Sequence, residues 1–164
     1  MLLSRRISHA SVVVSLAVAA VAAACGEDKV VAPAAVERYV LALTGAAERP
    51  NPVTTTATSS AVLTVLNKDS IEFLIYASGD SVTASHIHAG DATVAGPVMV
   101  FTFGGPVVGR VDGVFRYGFI TRTGTFSGAF TFDSVVNRMR AGTAYLNIHT
   151  RKYPGGEVRG QILR

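Results

Sequence analysis

The chain has 164 residues, enough for one domain with an extension, and 49% of them are hydrophobic against 16% charged, which excludes a disordered polyelectrolyte. The formal net charge of +4 falls to about +2 once Arg5 and Arg6 are set aside, and the basic residues do not cluster, which argues against a nucleic-acid partner. With a single cysteine, Cys25, no intramolecular disulfide can form.

The first segment reads as an export signal over residues 1–24. Met1 to Arg6 is short and basic, and Ala10 to Ala24 is apolar or small, broken only by Ser11 and Ser15. That run is shorter than the roughly 20 residues a membrane-spanning helix needs. The stretch Val21-Ala22-Ala23-Ala24-Cys25-Gly26 resembles a bacterial lipobox. The resemblance implies cleavage before Cys25 and lipidation of its thiol, although Ala22 stands where most lipoboxes carry a larger aliphatic residue. The same residues also fit ordinary cleavage after Ala24. Two or more acyl chains would anchor the protein stably, and Gly26 after the cysteine implies an outer-membrane address where the host has such a membrane. Residues 25–37 have no periodicity and read as a flexible tether.

From Arg38 to Arg164 short period-2 segments alternate with turn signals. Tyr39, Leu41 and Leu43 alternate in a first strand, and Glu48-Arg49-Pro50-Asn51-Pro52 is a loop. Strands follow at Ala61–Leu66, Ile71–Ala77 and Val82–His88, then a loop over Ala89–Gly96 and a strand at Val98–Phe103. Val114–Thr121 and Gly124–Phe132 are expected as further strands or loosely paired segments. Asp133–Gly142 is the one helix, with Asp133 as its N-cap and Gly142 as its stop. Thr143–Thr150 and Glu157–Leu163 close the chain as strands. The pattern predicts an all-β fold: an antiparallel β-sandwich or Greek-key barrel of about 7–9 strands with one short helix.

Three segments carry unusual polarity for strands. In Ser85-His86-Ile87-His88-Ala89-Gly90 the two histidines share a face. In Tyr145-Leu146-Asn147-Ile148-His149-Thr150 the polar side chains Tyr145, Asn147 and His149 share one. In the last strand Glu157, Arg159 and Gln161 lie opposite Val158 and Ile162. Two imidazoles one strand step apart can chelate a metal, so His86, His88 and His149 are candidate copper or zinc ligands. The alternative is a hydrogen-bonded network of these histidines with Asn147, Glu157, Arg159 and Gln161, in which the Arg159 fork holds Glu157. No catalytic constellation stands out. Ser85 and His86 point to opposite faces, and there is no Gly-x-Ser-x-Gly elbow, P-loop or dinucleotide fingerprint.

Taken together, "HIHAG", "AGPV" and "AYLNIHTRKYPGGEVRGQIL" resemble the CHRD (chordin-type) family, and "LALTGAAERPNPV" resembles its opening. The similarity covers about residues 38–164. One departure is Ala92-Thr93-Val94-Ala95-Gly96, where many relatives carry a Gly-x-Asn-Gly loop. The resemblance implies an extracytoplasmic β domain that binds an envelope protein or matrix partner, or serves a structural role. With the lipobox it implies a lipid-anchored protein of the cell envelope facing the periplasm or exterior. The two-histidine strand ahead of Gly96-Pro97 is also similar to the copper-ligand strand of copper-zinc superoxide dismutases. Val98 replaces the histidine that follows the Gly-Pro there, and the zinc histidines and disulfide are missing, so dismutase activity is not implied.

Overall fold

The computed structural model describes residues 37–164 apart from Lys68, Asp80 and Val107. The expected signal peptide, Cys25 and all of the tether but Glu37 lie outside the described residues. Among those that are described, eight strands form two four-stranded antiparallel sheets. The first, in the order β1-β2-β3-β6, contains β1 (Glu37–Leu43), β2 (Thr58–Leu66), β3 (Ser70–Gly79) and β6 (Val111–Thr121). The second, in the order β5-β4-β7-β8, contains β4 (Val82–Ala89), β5 (Val98–Phe103), β7 (Ala144–Thr150) and β8 (Val158–Gln161). This is the expected all-β sandwich, with one short helix, α1 (Phe132–Arg140).

In the first sheet β1, β2 and β3 follow simple alternation. Tyr39, Leu41 and Leu43 on β1 lie opposite Leu63, Ala61 and Ser59 on β2, and these lie opposite Phe73, Ile75 and Ala77 on β3. All nine are buried, while their sequence neighbours face outward or are partly covered. The second sheet departs from that pattern. Ile87, Leu146, Ile148 and Val158 supply its apolar inner face, yet His86, His88, Tyr145, Asn147 and Arg159 on the other face are buried as well. On the inner face Ser85 is hydrogen-bonded to Thr102.

Two of the expectations are corrected. The segment 124–131 is not a strand: Ser127 N–H donates to Met99 O, Phe130 N–H donates to Ser127 O, and Gly128 sits at φ +58°. Phe126 and Phe130 of this segment pack partly buried against the core without strand pairing. The helix N-cap is Thr131, not Asp133. Thr131 Oγ1 accepts from Ser134 N–H at 3.2 Å, and Ser134 Oγ accepts from Thr131 N–H at 2.8 Å. Asp133 occupies the first turn and pairs with Arg122 at 2.8 Å. Gly142 ends the helix at φ +69°, as expected of a glycine stop.

Two ties hold the sandwich ends. Glu37 receives Arg140 from α1 and Arg164 from the C-terminus, each at 2.6 Å, and the Arg140 hydrogen bond is the main reason its carboxyl is held down to about 2. Thr44, just past β1, exchanges backbone hydrogen bonds with Arg159 of β8 at 3.0 and 3.1 Å. That bridge joins the first sheet to the second and brings the 45–53 loop over the polar face of β7 and β8.

The last strand tests this packing. Ile162 is fully buried and Leu163 is 57% exposed. Ile162→Ala is expected to cost about 2–5 kcal/mol in urea unfolding, while Leu163→Ala should change stability by no more than about 0.5 kcal/mol. Equal effects would place the chain end outside the core.

Candidate functional site

Antiparallel register sets the polar face of the second sheet. His86 pairs with Asn147, and Asn147 with Arg159; His88 pairs with Tyr145, and Tyr145 with Gln161. His149 lies opposite Ala84 on the same face. The three histidines that the sequence places on two separate strands therefore meet. Their ring centroids lie 4.7 Å apart for His86 and His149, 5.4 Å for His86 and His88, and 6.1 Å for His88 and His149. One ring nitrogen from each falls within 4.8 Å of the others. Phe101 of β5 stands edge-on to His86 at 4.3 Å and is itself exposed.

Loop carbonyls, rather than acidic side chains, orient two of the rings. His88 Nδ1 lies 2.9 Å from Gly96 O, and His149 Nδ1 lies 2.9 Å from Pro154 O. A carbonyl can only accept, so both rings carry their proton on Nδ1. In the neutral rings Nε2 is then a bare lone pair. His149 Nε2 accepts from His86 Nδ1–H at 3.1 Å, which leaves His86 Nε2 unprotonated in turn. His86 Nε2 and His88 Nε2 are buried with no hydrogen-bond partner. All three imidazoles are held toward neutrality. Burial is the largest cause in each case, and it takes His86 down to about 4, with help from its two histidine neighbours.

The Gly96 carbonyl is held in place from several sides. Tyr145 stacks on the His88 ring at 4.8 Å, and its hydroxyl accepts from Gly96 N–H at 3.0 Å. A Cβ on Gly96 would lie 1.5 Å from Ala89 O, so only glycine fits there. The 91–94 stretch is gripped by Arg159, which donates to Asp91 O at 2.5 Å and Val94 O at 2.8 Å. The buried guanidinium sits 3.5 Å from the Tyr145 ring centroid, and loss of water lowers its pKa.

The polar residues expected to form one network divide into separate contacts. Gln161 Nε2 donates to the carbonyls of Gly90, Gly142 and Ala144, each at 2.9 Å, and Arg159 reaches Gln161 Oε1 at 3.3 Å. Glu157 is not held by Arg159. It accepts instead from Thr55 Oγ1 at 2.5 Å, because the turn before β8 carries its side chain toward the 53–57 loop. Asn147 donates to Glu48 Oε1 at 2.5 Å. Glu48 has no counterpart in the sequence reading, where it is one charged residue of a proline-bearing loop, yet it is 4% exposed. Desolvation raises its carboxyl to about 7, against the opposing pull of Arg159 and the Asn147 hydrogen bond. Gly156, at φ +127°, closes over this pair: a Cβ there would lie 2.7 Å from Asn147 Nδ2 and 2.9 Å from both Glu48 oxygens.

In comparison with known proteins, the family model described as CHRD domain matches residues 39–162. No curated protein and no solved structure matches the chain.

The buried carboxyl generates a pH signature. A folded pKa raised from 4.5 to about 7 makes the Glu48 contribution fully present below pH 4.5 and lost as the pH rises through 7. His86, depressed from 6.5 to about 4, acts in the opposite sense: its contribution is present above 6.5 and lost as the pH falls toward 4. Subtracting wild-type unfolding free energies from those of Glu48→Gln cancels the histidines. The difference is expected to move in favour of the variant by roughly 2–3 kcal/mol between pH 4 and pH 8.5. Parallel profiles would mean that Glu48 is solvated.

Proposed function

The chain belongs to the CHRD domain family, and from that membership we propose that it is an extracytoplasmic module held at the membrane by a lipid on Cys25. It presents its β-sandwich to a protein or matrix partner in the cell envelope. The observation that carries the reading is the place of the lone cysteine. Cys25 ends a basic and then apolar segment, and the first strand begins at Glu37, so residues 26–36 are left to serve as a tether.

A surface suited to a partner is available on the first sheet. Val40, Val62, Leu74 and Tyr117 lie in one cross-strand row on its outer face, and Tyr76, Val114 and Phe119 share that face. Val40, Tyr76, Val114, Tyr117 and Phe119 are all exposed. Several apolar and aromatic side chains gathered on one face are characteristic of protein contact surfaces.

The anchor is tested by phase partition. Wild-type protein expressed with its own leader should enter the detergent phase, and Cys25→Ser should move to the aqueous phase. Equal partition of the two proteins would contradict lipidation.

A further inference from the structure

The histidine cluster has a feature that a display module does not require. Two acceptor lone pairs, on His86 Nε2 and His88 Nε2, are buried and receive nothing. An unsatisfied buried polar atom destabilises the fold. The fold nevertheless keeps them buried. The His88 and His149 rings are locked by backbone carbonyls on their far nitrogens, and the His88 ring is also stacked against Tyr145. A carbonyl behind Nδ1–H fixes the tautomer that leaves Nε2 free for a metal, and it raises the basicity of the ring.

The spacing also fits. Ligands about 2.0–2.1 Å from a tetrahedral or trigonal ion lie about 3.3–3.6 Å from one another. The three ring nitrogens are within 4.8 Å, so small rotations of the rings close the remainder. Among the described residues, no thiolate or carboxylate belongs to this cluster of side chains. A donor set of imidazole alone suits zinc and copper and disfavours calcium and magnesium, which take oxygen ligands.

We propose that His86, His88 and His149 bind one transition-metal ion, Zn(II) or Cu(II), through one ring nitrogen each. On binding, His149 Nε2 exchanges the His86 N–H for the metal, and the buried lone pairs gain the partner they lack. Three protein ligands leave a tetrahedral ion one position for water or a small exogenous ligand. The site does not depend on Cys25, so it stands or falls separately from the anchor.

The test uses the full, untagged chain in detergent, freed of metal and then dialysed separately against Zn(II) and Cu(II) chloride. One equivalent should bind in at least one arm, and X-ray absorption should place three nitrogen neighbours of imidazole type at about 2.0–2.1 Å. His88→Ala should weaken binding about 100-fold or more. His149→Gln, at the half-buried edge of the cluster, supplies a second variant, with circular dichroism confirming that each remains folded. Either folded variant losing affinity supports the site. Wild type taking up neither metal, or both folded variants binding as wild type does, would overturn it.

Discussion

The structure turns on the burial of a polar sheet face. In β7, Leu146 and Ile148 occupy the sandwich interior, and Tyr145 and Asn147 are equally hidden on the other side. A solvated outer face is the usual arrangement for an antiparallel sheet. Here loops from three parts of the chain cover it: 45–53, 90–97 and 151–157. Once water is excluded, each donor and acceptor on that face must find a partner within the protein or remain unsatisfied. Most of these partners are loop carbonyls, and the loops must adopt the shape that presents them.

That requirement explains residues which otherwise look unrelated. Gly96 lies against Ala89 O closely enough to exclude any side chain, and it brings its own carbonyl to His88. Arg159 serves as a backbone clamp: its guanidinium spans Asp91 O and Val94 O, and its charge rests on the Tyr145 ring. Gly156 closes the 151–157 loop over Glu48 and Asn147, in a loop whose Pro154 carbonyl receives His149 Nδ1–H. The Thr44–Arg159 bridge ties the first covering loop to the same strand.

Much of the frame was legible in the sequence. Alternation of Leu63 and Val65, or of Ile71, Phe73 and Ile75, states which face is buried without further information, and the same period puts His86 with His88 and Asn147 with His149. The coverings were not legible. Glu48 meets Asn147 across 99 positions, and nothing local distinguishes a loop glutamate that is buried from one that is solvated. Gly96 and Pro154 act through backbone oxygens, which leave no mark in side-chain pattern. Opposite charges on one strand face suggest a pair of Glu157 with Arg159, but the turn before β8 sends Glu157 to Thr55. In the 124–131 segment Phe126 and Phe130 reach the core without strand pairing, and Gly128 supplies a left-handed residue.

Loop carbonyls fix the His88 and His149 rings through Nδ1–H, His149 Nε2 receives the His86 Nδ1–H, and all three rings keep Nε2 unprotonated. Nitrogen chemical shifts from long-range proton–nitrogen correlation spectra of the metal-free protein near pH 7 measure this directly, ring by ring. His86, His88 and His149 should each appear neutral, protonated on Nδ1 and unprotonated on Nε2. Rings protonated on Nε2, or charged at that pH, would contradict the claim.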